Sequence, residues 1–128
     1  MNTTFKIAIA LVAGASLGAA AVQGLHAQAK PKAYTVAELE TLDAAALASY
    51  VPAVLAAQKA AGGHPFNTGG GKMVAMEGAA PPARVAITEW DSLAQAQAFY
   101  TSAAWKGLAP QRDKASKTIR RYSVEAVN

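Results

Sequence analysis

The chain has no cysteine. That excludes disulfide staples, thiol nucleophiles, thiolate metal sites and lipid attachment through an N-terminal Cys. Stability must come from packing, or from a partner subunit. Histidine is nearly as scarce, with only His26 and His64 present. His26 falls in a segment read below as a leader, so a His-based metal cluster is excluded. A mixed site of His64 with Glu77 or Glu89 has no ligand spacing behind it. No G-x-S-x-G nucleophile elbow lies in residues 30–128. Aromatic residues make up 7% of the chain, and Phe99, Tyr100 and Trp105 share one short stretch.

Acid is outnumbered by base, 8 residues to 12, giving a net charge of +4. The excess lies late in the chain, at Lys106, Arg112, Lys114, Lys117, Arg120 and Arg121. Such a surface could meet a polyanion. An exported protein seldom does, so the basic residues read as a solvated face and no nucleic-acid partner is expected. The export reading comes from residues 1–29. Lys6 supplies a weakly positive start, Ile7–Leu25 is an uncharged apolar run, and Ala27-Gln28-Ala29 is a small-x-small cleavage site. The segment therefore reads as a signal peptide, with a periplasmic or secreted bacterial destination and no membrane contact after its removal. A retained anchor is the competing reading, because the run is almost long enough to span a bilayer. The remainder, 30–128, suits one small domain.

Within that domain, Ala33–Glu40 alternates as a strand, with Tyr34 and Val36 on one face and Thr35, Ala37 and Leu39 on the other. Both faces are mildly apolar, which predicts cover on both sides. Asp43 is a helix N-cap. Leu47, Tyr50, Val51, Val54 and Leu55 then form one apolar stripe. Pro52 is expected to kink or divide that helix, and Gly62-Gly63 to end it. His64–Thr68 is a poor strand for an edge, because Pro65 cannot donate a ladder hydrogen bond. Gly69-Gly70-Gly71 before Lys72 lacks Walker spacing and reads as a turn or bulge. Lys72–Glu77 alternates like a hairpin arm, and Gly78–Pro82 is a loop. Arg84–Trp90 is the best strand in the chain, with Val85, Ile87 and Glu89 sharing one face.

Asp91–Arg112 opens on a capping box, Ser92 with Gln95. Thr101-Ser102 should break the helix and cap a second piece carrying Trp105, Leu108 and Arg112, and Pro110 should end or bend that piece. Lys117–Val127 reads as a closing strand, with Arg120, Tyr122 and Val124 on one face and Ile119, Arg121, Ser123 and Glu125 on the other. The order strand, helix, strand, strand, helix, strand predicts an α+β domain of the ferredoxin-like split βαβ kind, written βαββαβ with an extra hairpin arm. Helices would cover one sheet face. A second copy of the sheet is the simplest cover for the other.

With those elements in place, the chain resembles the domain-of-unknown-function 1330 (DUF1330) family. The likeness rests on AYTVAELE, on Gly62-Gly63 after the helix with Tyr50 and Val51-Pro52, on Gly69-Gly70, Glu77-Gly78 and RVAITEW, and on A-x-x-F-Y-x-S followed by Leu108 and Arg112. The resemblance implies a dimeric α+β barrel of two four-stranded sheets packed face to face. That barrel is akin to those of small cofactor-independent monooxygenases and haem-degrading enzymes. Two positions depart from the family pattern. Thr68 stands where a basic residue commonly precedes the Gly-Gly turn, and Ser102-Ala103-Ala104-Trp105 stands where S-P-E-Y is common. Any family chemistry that uses that acid or that base is missing here, and the resemblance names no substrate.

The side chains available to line a ligand site are His64, Glu89, Tyr100, Trp105 and Arg112. Each has a plainer role open to it. His64 suits a surface loop, and Glu89 an ion pair with Arg84, Arg120 or Arg121. Tyr100 and Trp105 suit core or dimer-seam packing, and Arg112 a snorkelling or ion-paired role. A buried Glu89 would have a raised pKa and could act as acid or base. The sequence therefore predicts a small exported homodimer that binds a small apolar or aromatic ligand between sheet and helices, or simply assembles. Neither a catalytic set nor a cofactor is expected. The alternatives are a cofactor-independent oxygenase or isomerase in the same cleft, and a basic module for anionic surfaces.

Overall fold

The computed structural model describes residues 30–127, so the signal reading of residues 1–29 lies outside the described residues. Strand β1, Ala33–Thr41, is followed by helix α1, Ala44–Ala60, and a two-residue strand β2, His64–Pro65. Strand β3 is Arg84–Trp90. Three short helices come next, α2 (Leu93–Thr101), α3 (Ala103–Gly107) and α4 (Ala109–Ala115), and β4, Ser116–Glu125, closes the domain. The four strands form one antiparallel sheet in the order β2-β3-β1-β4. The architecture is mixed α+β.

Alternation assigns the faces. Along β1, residues 33, 35, 37 and 39 are buried and the residues between them are half-buried. Thr35 opposes Thr88 of β3 and Ser123 of β4, and Ala37 opposes Ala86 and Arg121. These residues point toward the helices. On the reverse face Val36 opposes Ile87 and Tyr122, and Tyr34 opposes Glu89 and Val124. No described element covers that face, and Tyr122 and Val124 stay about half exposed. Three ion pairs lie on it, Arg120 with Glu38 at 2.8 Å, Lys117 with Glu40 at 3.6 Å, and Lys32 with Glu89.

The core lies where β3 ends against the later helices. Trp90, fully buried, packs with Ala96, Phe99 and Trp105, and Val54 and Ala57 of α1 close over them. The Trp90 and Phe99 ring centroids are 5.3 Å apart, and those of Tyr100 and Trp105 are 4.9 Å apart, edge to face. Such pairs add about 0.5–1.5 kcal/mol each beyond area burial. The indole N–H of Trp90 donates to Thr35 Oγ1 at 3.0 Å, and Thr35 Oγ1 lies 2.7 Å from Ser123 Oγ. Three strands are thereby joined beneath the helices by one short polar chain.

The helix ends follow local chemistry. Asp43 Oδ1 accepts from the Ala46 N–H at 2.8 Å. Gly62 takes φ +84° just past the end of α1, and a Cβ on Gly63 would stand 2.8 Å from the Trp90 ring. Ser92 Oγ caps Gln95, and Gln95 Oε1 accepts in return from the Asp91 N–H. Ser102 Oγ accepts from the Trp105 N–H at 3.2 Å and starts α3.

Three expectations need correction. Pro52 does not divide α1, which runs unbroken through it. Pro52 and Ala48, whose carbonyl loses its donor, are both exposed, so water can satisfy the freed group. Pro110 begins a helix rather than ending one. It sits in the first turn of α4, where a missing N–H costs nothing. Lys72–Glu77 forms no strand and the extra hairpin arm is absent. Val74 and Met76 are 63% and 93% exposed, so the alternating residues find no neighbouring strand to pair with.

Candidate functional site

Between α1 and the helix-facing side of the sheet lies a cavity of about 270 Å³, just under the usual range of small-molecule sites, about 300–1,000 Å³. Its roof is the α1 stripe, with Leu47, Tyr50, Val51, Val54 and Leu55 all facing it. Its floor is Thr35, Ala37 and Leu39 of β1 with Ala86 and Thr88 of β3. The small floor residues explain the space. Ala37, Ala86 and two threonines cannot reach a helix held at normal packing distance. Tyr100, Trp105 and Arg121 close one end. Arg84, packed against the turn at Gly69, stands at the other, and a Cβ on Gly69 would lie 2.2 Å from the Arg84 Nη2.

The polar groups in this lining are hydroxyls, amides and cations. Gln58 Nε2 donates to Tyr100 Oη at 3.4 Å. Burial raises the pKa of the Tyr50 phenol above its ordinary value, with Arg121 and Arg112 opposing. Burial likewise raises that of Tyr100 against the Gln58 hydrogen bond and Arg121. Both phenols are therefore neutral at physiological pH. No Asp, Glu or His lines the cavity among the described residues, so the lining offers no general base that is ionised or poised near neutrality.

At the closed end two guanidinium groups share one indole. Arg112 Cζ lies 4.5 Å and Arg121 Cζ 4.6 Å from the Trp105 ring centroid, and Arg121 is also 5.6 Å from that of Tyr100. Arg112 pairs with Asp113 at 3.1 Å. Arg121 has no ion-pair partner among the described residues. Burial lowers its pKa below the usual guanidinium value, and Arg112 adds to that lowering while the two tyrosines oppose it. These groups border a second, more open recess that shares Trp105, Ser116 and Arg121 with the cavity.

The five residues singled out from the sequence separate into two places. Tyr100, Trp105 and Arg112 come together at the closed end of the cavity or in the recess beside it. His64 and Glu89 do not join them. They oppose one another across β2 and β3 at the sheet edge, on the uncovered face. Glu89 pairs with Lys32 of the leading segment rather than with Arg84, Arg120 or Arg121. The hydrogen bond from Lys32 holds its pKa below the ordinary carboxylate value, the reverse of the rise expected for a buried acid. Arg121 and Ser116 were missed as site residues for a shared reason. A register shift at Glu38/Leu39 sets Thr118 opposite Leu39 but Arg120 opposite Glu38, leaving Ile119 as a bulge. In a regular strand Ser116 and Arg121 would point to opposite faces. The bulge puts both on the helix side, and no alternation pattern signals it.

Comparison with known structures places this architecture among crystallised relatives. RPA0582, a protein of unknown function from Rhodopseudomonas palustris, superposes with a TM-score of 0.58 at 14% identity, over 77% of this chain and 85% of that one. Methylated RPA0582 gives 0.55 at 13% identity, over 77% and 83%. HapK from Hahella chejuensis gives 0.48 at 12% identity, over 74% and 92%, too distant to argue from. At these identities the likeness shows the fold alone. No curated protein matches the sequence. Residues 32–127, nearly all of the described domain, match the domain of unknown function DUF1330, and the chain belongs to that family.

Proposed function

We propose that this protein is an exported, homodimeric small-molecule-binding domain that holds a small, largely apolar ligand between α1 and the sheet. The observation that carries the reading is the cavity. An apolar helix stripe faces a floor of small residues, and a few hydroxyl and amide groups are placed to orient a guest. The strand order β2-β3-β1-β4, with helical connections after β1 and after β3, supports assigning the domain to the ferredoxin-like split βαβ class. The apolar, uncovered face around Val36, Ile87 and Tyr122 supports a second copy packed there. Lys6, the apolar run and Ala27-Gln28-Ala29 support export.

Binding has more support than turnover. An oxygenase or isomerase acting without a cofactor would need a base in the cleft, and no Asp, Glu or His lines it among the described residues. The test is an NMR titration of residues 30–128 with octan-1-ol and with 2-naphthol. Saturable shifts are expected in α1 and β3. Ala37→Leu, which fills the floor, should abolish them without unfolding the domain. If neither compound produces saturable shifts, or if the filled variant binds as well as the parent, the reading fails.

A further inference from the structure

The closed end of the cavity carries more charge than a purely apolar guest would use. Arg112 Nη1 and Ser116 Oγ are buried with no hydrogen-bond partner among the described residues. Ser116 is only 4% exposed. Leaving such groups unpaired is destabilising, more so for a charged one. They are not scattered, because both border the recess that Arg121 also lines. Arg121 is half-buried against Trp105 and Tyr100 and has no carboxylate nearby to balance it. Asp113 pairs with Arg112, and Glu40 with Lys117, which also lines the recess, so the local excess is close to a single positive charge. An anionic group seated here could accept from Arg112 Nη1, Arg121 and Ser116 Oγ together, and its charge would match that excess.

We propose that the natural ligand is a singly charged acid of the carboxylate class. Its head group sits against Arg121, Arg112 and Ser116, and its apolar body lies in the cavity under α1. This rests on the cavity reading above and adds the chemical class of the guest. Trp105, Ser116 and Arg121 line both spaces, so one molecule can occupy the two at once. Arg84 at the far end is a weaker seat. It packs on the Gly69 turn, and neither of the unpaired buried groups, Arg112 Nη1 and Ser116 Oγ, stands at that end.

The experiment compares octanoate with octan-1-ol, equal in chain length and different in charge, by fluorescence of Trp105 in a Trp90→Phe background and by calorimetry of the unmodified domain. Octanoate is expected to bind about ten- to hundredfold more tightly than the alcohol. Arg121→Gln should erase that preference by weakening octanoate far more than the alcohol, and Arg112→Gln should reduce it. Arg121→Lys keeps the charge and should retain part of the preference. It also stands in if the Gln variant fails to fold. Equal binding of acid and alcohol would overturn the carboxylate assignment and leave the cavity reading intact. An acid preference that survives in the Arg121 variants would overturn the seat. Competition by inorganic phosphate as strong as by octanoate would point to an anion site independent of the apolar body, against the proposal. Failure of both compounds to bind would sink the cavity reading with it.

Discussion

Among single residues, Thr35 has the clearest structural consequence. Its hydroxyl accepts from the buried Trp90 indole and meets Ser123, so it lies at the centre of a chain that ties β3 to β4 through β1. Thr35→Val keeps the shape and removes the hydroxyl. The Trp90 N–H is then left buried and unpaired, and the variant should lose about 1–3 kcal/mol of stability in urea unfolding. Loss of less than a few tenths would show that the bond contributes little. At this scale the fold is only partly legible in the sequence. Alternation groups Thr35 with Ala37 and Leu39 on one face without saying which layer covers it, and its partners lie 55 and 88 residues away in sequence, where no local pattern reports them. Glu89 illustrates the same limit. Its face was legible, yet the cation that meets it, Lys32, belongs to a segment whose path no periodicity describes.

Elements were more legible, because their ends are written in capping chemistry. Asp43, Ser92 and Gly62 mark boundaries through bonds made within three or four residues, and each lies where local reasoning puts it. Pro52 and Pro110 depart from it because the effect of a proline depends on which carbonyl it leaves open and whether water can reach that group. The break between α2 and α3 depends on Ser102, whose Oγ caps Trp105 and also donates to the Phe99 carbonyl at 2.6 Å. Ser102→Ala should destabilise the domain by about 1 kcal/mol. It should also change the fluorescence of Trp105, since the cap orients the turn that carries that ring. An unchanged spectrum and melting temperature would mean that packing alone positions α3. The candidate site was half legible at this level. Tyr100, Trp105 and Arg112 could be grouped because they lie on adjacent helical turns. The cavity itself arises from small residues on two strands facing large ones on α1, which is a property of assembly.

For the whole molecule, the open question is what covers the second face of the sheet. The sequence signalled cover there, because Tyr34 and Val36 are apolar enough to ask for it, and in the monomer they remain half-buried beside exposed Tyr122 and Val124. Under the proposed homodimer, light scattering at micromolar concentration should report twice the monomer mass. Val36→Asp places an unpaired carboxylate at the centre of that face and should yield a folded monomer. A parent domain that is monomeric and stable at that concentration would remove the dimer from the proposal.

The bulge at Ile119 has a consequence for how the sequence can change in length. Upstream of it, β4 is registered on β1 by Ser116 and Thr118; downstream, by Arg120, Tyr122 and Val124. Side-chain direction has period two, and Ile119 is the residue of β4 that has no partner on β1, so deleting it would leave a regular ladder with both rows of side chains in place. A one-residue change elsewhere in the strand that leaves the bulge in place would instead turn over everything on one side of it. A residue inserted after Ile119 that paired with Glu38 would send Arg121 and Ser123 from the helices to the open face and drive Arg120 and Tyr122 inward. Substitutions along β4 alter one contact at a time, whereas such an insertion would exchange the strand's two rows of side chains, so insertions after Ile119 should be far less tolerated than in the exposed run from Gly70 to Ala80, and loss of Ile119 itself should be tolerated.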